Sequence, residues 1–137
     1  MLQLWIFLKR VWTFLRRKEF YKTLLCIDVG TDRMPFDDDD FDVVVCCGGI
    51  APAHISPVVI KEWTRIVKPG GIISFTIRRC YIEIMQGQEE FYSKKLAEKC
   101  DEALEDLKNN KKAEVTLKKE IPHLENSPAV IYVLKVL

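Results

Sequence analysis

Glycine is scarce in this 137-residue chain: six occur, and no two are separated by a single residue, so there is no G-x-G. A glycine-rich loop that brings backbone N–H groups against a nucleotide is missing in its usual form. Histidine is scarcer still, with only His54 and His123. The five cysteines form no C-x-x-C pair, and with so few histidines no zinc-type ligand set can be assembled, so no metal is expected. The odd cysteine count points instead to reduced thiols in a cytoplasmic protein. A net charge of +1 gives no global case for nucleic-acid binding. The apolar run Leu4–Leu8 is too short for a membrane span and is followed at once by Lys9-Arg10. A secretory leader would carry its charge before the apolar stretch and small residues after it, and neither is present. There is no internal repeat and no low-complexity linker.

Charge is unevenly distributed. Residues 1–20 carry Lys9, Arg10, Arg16, Arg17 and Lys18 against Glu19. Trp5, Leu8, Trp12 and Leu15 then share one face at helical spacing, which predicts a basic amphipathic helix over about 2–18. Such a helix either packs on the rest of the chain or makes weak membrane contact through residues 1–18. Residues 28–42, by contrast, carry seven aspartates against Arg33. The run Asp37–Asp40 reads as a solvated loop, and Asp42 as a turn or capping group.

Three short apolar runs read as strands buried on both faces: about 24–28, 41–47 and 71–78. Between the last two, Ser56 and Pro57 start a helix over about 57–67, with Trp63 on its inner face, and Lys68-Pro69-Gly70-Gly71 stops it. A longer helix is expected over about 88–108, with Leu96, Cys100, Ala103, Leu104 and Leu107 as its apolar stripe. The segment 113–121 alternates, setting Val115, Leu117 and Ile121 against Thr116, Lys118 and Glu120, and suits a half-exposed edge strand. The segment 129–136 is apolar on nearly both faces and belongs inside the sheet.

The stretch Met34-Pro35-Phe36-Asp37-Asp38-Asp39-Asp40-Phe41-Asp42-Val43-Val44-Val45, followed at the right separation by Val67-Lys68-Pro69-Gly70-Gly71-Ile72-Ile73, resembles the second half of class I S-adenosylmethionine-dependent methyltransferases. The resemblance covers about 21–137. It implies an α/β fold: a Rossmann-like methyltransferase sheet, truncated so that the first two strands and the glycine-rich loop are absent, with a C-terminal antiparallel hairpin. Two segments follow from it, 1–20 as the N-terminal helix and 21–137 as a partial methyltransferase domain. In the family's strand order, 3-2-1-4-5-7-6, the first strand pairs with the fourth. The strand at 41–47 would then keep one partner, and either 23–29 or the N-terminal helix would cover its open side.

Ligands of open α/β sheets bind beyond the carboxyl ends of the strands. By resemblance the cofactor is S-adenosylmethionine, with Asp28 taking a hydrogen bond from the adenine amino group and Val29 packing on the ring. Cys46, Cys47 and Gly48 would line the wall beside its methionine part. His54, after the fourth family strand, is the nearest candidate for a catalytic base. Arg78 and Tyr81 are candidates to face a substrate. Cys46 and Cys47 read as poor nucleophiles, with aspartates near and no adjacent cation. The partner is an unidentified methyl acceptor or protein. With half the site missing, this chain alone is expected not to be a working methyltransferase.

Overall fold

A computed structural model of the chain describes residues 3–5, 23–25, 27, 29, 33–52, 54–81, 91–124 and 127–137. It falls into two units, Met1–Gly30 and Thr31–Leu137. The first unit holds β1 (Gln3–Trp5) and β2 (Thr23–Leu25), paired in parallel with Leu4 opposite Leu24. This corrects two expectations. Gln3–Trp5 is strand rather than the opening of a helix, and the rest of the expected helix lies outside the described residues. Thr23–Leu25 takes β1 as its partner, not the strand at 41–47. The helical spacing that begins at Trp5 hides a strand that ends there, and a three-residue strand leaves no periodicity to read.

The second unit is built on β3 (Phe41–Cys47), α1 (Val59–Ile66), β4 (Val67–Arg78), a 3₁₀ turn (Arg79–Tyr81), α2 (Phe91–Asn109), β5 (Ala113–Leu124) and β6 (Ser127–Val136). Its sheet runs in the order β3-β4-β6-β5. β3 and β4 are parallel, and β6 is antiparallel to both β4 and β5. The last strand is therefore inserted between earlier ones, as its unbroken apolar pattern requires, and β5 is the edge. Of the helix expected over 88–108, residues 88–90 lie outside the described residues.

Cross-strand register assembles the core. Val44 pairs with Ile73 and Ile73 with Leu134, Phe75 pairs with Tyr132, and Ile77 with Val130. Side chains two apart share a face, so this buried set forms one apolar layer. Phe75 and Tyr132 stack with ring centroids 5.0 Å apart. Trp63 of α1 lies on the same layer, 6.0 Å from Phe75. Leu96, Cys100, Ala103 and Leu107 of α2 are buried too, while burial pushes the Cys100 thiol up to about 12. A Lys61–Asp106 ion pair joins the two helices on their exposed side.

The opposite face differs from expectation. Val43 and Val45 are 53% and 70% exposed, and Leu117 on β5 is 43% exposed. Ile72, Ser74, Ile131 and Val133 are only half-buried. The runs read from sequence as covered on both sides are, among the described residues, covered by helices on one. A register shift between Val115 and Leu117 also breaks the clean alternation expected of β5.

Lys68-Pro69-Gly70-Gly71 stops the helix as expected, yet it lies within β4. Phe41 pairs with Val67 and Val43 already pairs with Ile72, so the turn is looped out as a bulge. Gly70 takes a φ of +82°, which favours glycine. Asp42 at the mouth of β3 pairs with Lys68 across this bulge at 2.9 Å, which also holds its carboxyl below the usual range.

The acidic loop is tied to α1 rather than free. The Arg65 guanidinium donates to Phe36 O at 2.9 Å and Met34 O at 3.3 Å, and it pairs with Asp38 at 2.6 Å and Glu62 at 2.5 Å. Glu62 in turn accepts the Met34 N–H at 2.8 Å. The Arg65 hydrogen bond is the main reason the Glu62 carboxyl titrates low, against the opposing pull of burial. Arg65→Ala leaves the mostly buried Glu62 without its partner and should cost about 2 kcal/mol. Because the folded carboxyl is depressed, its contribution is present above the unfolded value near pH 4 and is lost as pH falls through the folded one. Urea titrations at pH 7 and pH 3 should therefore show the Arg65→Ala deficit shrinking at the lower pH.

Candidate functional site

The parallel strands β3 and β4 end side by side, with Cys47 paired to Thr76. Beyond Cys47 the chain turns through Gly48, whose φ of +67° is one that side chains rarely adopt. Thr76 holds the turn in place. Its hydroxyl oxygen accepts the Gly48 N–H at 2.9 Å, and its proton is directed at Cys47 Sγ at 3.7 Å. Thr76 is 7% exposed, the one buried polar side chain recorded among the described residues. Sequence reading passed over it, although a hydroxyl within the apolar run Ile72-Ile73-Ser74-Phe75-Thr76-Ile77, near the strand's carboxyl end, was a legible signal.

Cys46 points the other way. Its sulfur stands 2.7 Å from where a Cβ on Gly49 would lie. Burial pushes its thiol up, partly offset by the N–H groups of Gly49 and Ile50, which suits a packing group rather than a nucleophile. Cys47 is exposed at the strand end, and the described cysteines are all free thiols.

His54 sits in the following loop, with its N–H donating to Ala51 O at 3.1 Å and its side chain exposed. The second histidine comes to the Gly48 turn instead. The Cε1 of His123 lies 3.9 Å from the ideal Cβ position of Gly48. It went unnoticed in the sequence because Pro122–Pro128 reads as a plain turn. Arg78 and Tyr81 meet each other past the end of β4: a guanidinium nitrogen is 3.5 Å from the phenol oxygen, and the cation stands 5.5 Å from the ring centroid. Arg79 pairs with Glu120 of β5 at 2.8 Å.

Of the two adenine-side residues, Val29 is buried within the first unit, and Asp28 lies outside the described residues. Among the described residues no cluster of three or more metal-type ligands occurs, and no helix is long and apolar enough to cross a membrane. What the second unit brings together is a side-chain-free turn, a thiol, a hydroxyl and an imidazole at the carboxyl end of two parallel strands. Open α/β sheets receive ligands at such an end.

A family model described as a methyltransferase domain matches residues 7–75. Among solved structures, the [4+2]-cyclase SpnF is similar with a TM-score of 0.66 at 13% identity, over 98% of this chain and 65% of that one. A possible histamine N-methyltransferase from Thermotoga maritima gives 0.60 at 17% identity, covering 98% and 72%. A putative Haloferax volcanii methyltransferase, solved with the Trm112 methyltransferase activator, gives 0.63 at 14%, covering 96% and 70%. No curated protein matches the chain by sequence. The present chain thus spans just under two thirds of the length of SpnF. With a family match over half its length, on the sheet order and strand-end turn described above, the chain belongs to the methyltransferase-domain family and has the fold of the class I, S-adenosylmethionine-dependent enzymes.

Proposed function

We propose that this chain is a truncated S-adenosylmethionine-dependent methyltransferase-like protein whose own residues bind the cofactor weakly or not at all. The observation that carries the reading is the Cys47–Gly49 turn, free of side chains at Gly48 and held by Thr76 at the carboxyl end of β3. Backbone can approach a ligand closely there. Cys46–Gly48 would form the wall beside the cofactor's methionine part, and Asp28 and Val29 would hold its adenine. The cofactor would supply an electrophilic methyl group. The chain's residues do not fit it as a complete site, because no G-x-G exists to bring a second backbone segment against it. Each missing hydrogen bond to a charged group removes roughly 1.5–3 kcal/mol, and about 1.4 kcal/mol is tenfold in affinity. Two lost contacts therefore weaken binding by about a hundredfold or more.

His54 remains the proposed base on the acceptor side, with Arg78 and Tyr81 facing an unidentified methyl acceptor. Within the family, the chain resembles the methyltransferase-like protein of the Williams–Beuren syndrome region. Free cysteines favour a cytoplasmic setting. Calorimetric titration of S-adenosylmethionine into the purified chain should give no micromolar binding. Micromolar affinity that Asp28→Ala abolishes would overturn the reading and restore a working enzyme.

A second reading is a non-catalytic interaction module. It is favoured by the position of β3 at the sheet's edge with Val43 and Val45 exposed, an arrangement that invites a further strand. The fold itself does not decide, since SpnF is a [4+2]-cyclase. Weak membrane contact through residues 1–18 is a third role, tested by vesicle sedimentation with and without that segment.

A further inference from the structure

The sheet of the second unit has two edges, and they are built differently. At β5 the register with β6 shifts twice, between Val115 and Leu117 and between Ile121 and Leu124. Lys118 and Lys119 stand in that strand, and Pro122 offers no N–H to a ladder. Bulges, lysines and proline are the devices that keep an edge from pairing with another chain. From Val43 onward the β3 edge has none of them. Val43–Cys47 runs in unbroken register with Ile72–Thr76 and contains neither charge nor proline. Among the described residues, no backbone hydrogen bond joins Val43–Cys47 to anything but β4. Alternate residues of the strand therefore turn N–H and C=O outward without a partner strand. Val43 and Val45 add apolar surface on the open face, and Val45 is the most exposed large apolar side chain among the described residues.

We propose that β3 is a dimerisation edge, on which two copies of this chain pair antiparallel about Val44 and join their sheets. The inference rests on the interaction-module reading and names the partner as a second copy. In that register the strand is self-complementary. Phe41–Cys47 is seven residues long, so a two-fold axis at Val44 uses all of it and sets Val43 of each copy opposite Val45 of the other. Charge selects the direction. The acidic run Asp37–Asp40 precedes β3, and Asp42 stands at its mouth. A parallel pairing would bring the two acidic runs side by side. The antiparallel pairing holds them at opposite ends of strands roughly 20 Å long, beyond the screening distance of about 8 Å at physiological salt. Each run then lies toward the end of the other copy's sheet that carries Arg78 and Arg79. Such a contact is isologous and closes at two copies. Two short strands also bury little area, so a weak dimer with a micromolar dissociation constant is expected.

Sedimentation velocity of the full chain at rising micromolar concentration should show monomer passing to dimer. Outward amides within Val43–Cys47 should exchange hydrogen more slowly at the concentrations where the dimer forms. Val43→Lys with Val45→Lys sets lysine opposite lysine at both pairs and should stay monomeric, with a thermal midpoint close to the parent's because both side chains are exposed. Val43→Glu with Val45→Lys sets glutamate opposite lysine at both pairs and should dimerise again. An in-register parallel pairing would oppose like charges in that variant. Leu117→Lys, on the β5 edge, should dimerise as the parent does. A parent that stays monomeric overturns the proposal and leaves the edge to a different chain. A dimer that survives the two lysines, or is lost with Leu117→Lys, overturns it by placing the contact elsewhere. Assemblies larger than two, or exchange in Val43–Cys47 that ignores concentration, overturn it as well. A monomeric glutamate–lysine variant overturns the antiparallel register. No cofactor enters these measurements, so their result stands apart from the calorimetry of S-adenosylmethionine.

Discussion

Replacing Trp63 by alanine is expected to lower the stability of the chain by roughly 3–5 kcal/mol, the usual cost of emptying an aromatic site in a core. Trp63 is 2% exposed and is the largest of the fully buried side chains. It anchors α1 on the layer that Phe75 and Tyr132 build by stacking, so its loss opens a cavity over the middle of the sheet. One detail predicts how phenylalanine will behave. The Trp63 indole N–H is buried without a hydrogen-bond partner, a destabilising state for a donor. Trp63→Phe removes that donor along with part of the ring, and the two effects oppose each other. Urea unfolding followed by circular dichroism should therefore place Trp63→Phe much nearer the parent than Trp63→Ala. An alanine variant with the parent's midpoint would mean that α1 is not held by this face.

Gly71→Ala should be nearly as damaging for a different reason. A Cβ at Gly71 would stand 2.6 Å from Val67 Cγ1, 2.7 Å from Asp42 O and 2.8 Å from Lys68 O. Two of these atoms are backbone, on both sides of the β3–β4 bulge, and cannot rotate away. Overpacking commonly costs roughly 1–3 kcal/mol, and a backbone clash lies at the upper end. Gly70, one residue earlier, has open space around it but a φ of +82°. Gly70→Ala should lose only about 1 kcal/mol from backbone strain. Thermal unfolding of the two variants side by side distinguishes clash from strain. Gly70→Ala proving the worse of the pair would contradict the bulge geometry.

The core of the second unit was legible because hydrophobic runs bounded by turn chemistry leave few arrangements open. Phe41–Cys47 and Ile72–Ile77 are apolar enough to read as strands, and Ser56-Pro57 with Lys68-Pro69-Gly70-Gly71 brackets the helix between them. The segment 129–136 could only be interior, and β6 is flanked by β4 and β5. Three things escaped. β1 is too short to show a period. The exposure of Val43 and Val45 depends on which layers surround the sheet, and composition does not record that. The approach of His123 to Gly48 depends on how a hairpin leans, which arises from a register shift and the neighbouring Pro122, not from any residue pattern at the site. The Cys46–Gly49 turn could be placed at a strand end from sequence, and the Thr76 hydroxyl was legible there too, but that it pins the turn follows only from the pairing of β3 with β4.

The position of β6 has a consequence for how the chain is made. Every contact that seats β6 against β4 joins segments far apart in sequence, Ile72 with Lys135 at one end and Arg78 with Ala129 at the other. β5 and β6 can zip locally as a hairpin, but β4 waits for them with Ile73, Phe75 and Ile77 lacking their neighbours. During synthesis from the amino end, β3, α1 and β4 emerge well before β6. A nascent chain halted before Ser127 would carry a raw strand edge beside an aromatic half-core, the kind of surface that chaperones hold and that aggregates otherwise. Sheets closed by such distant pairings fold slowly. Soluble yield should accordingly depend on translation reaching the final ten residues of the hairpin quickly, more than on any side chain in the cofactor wall.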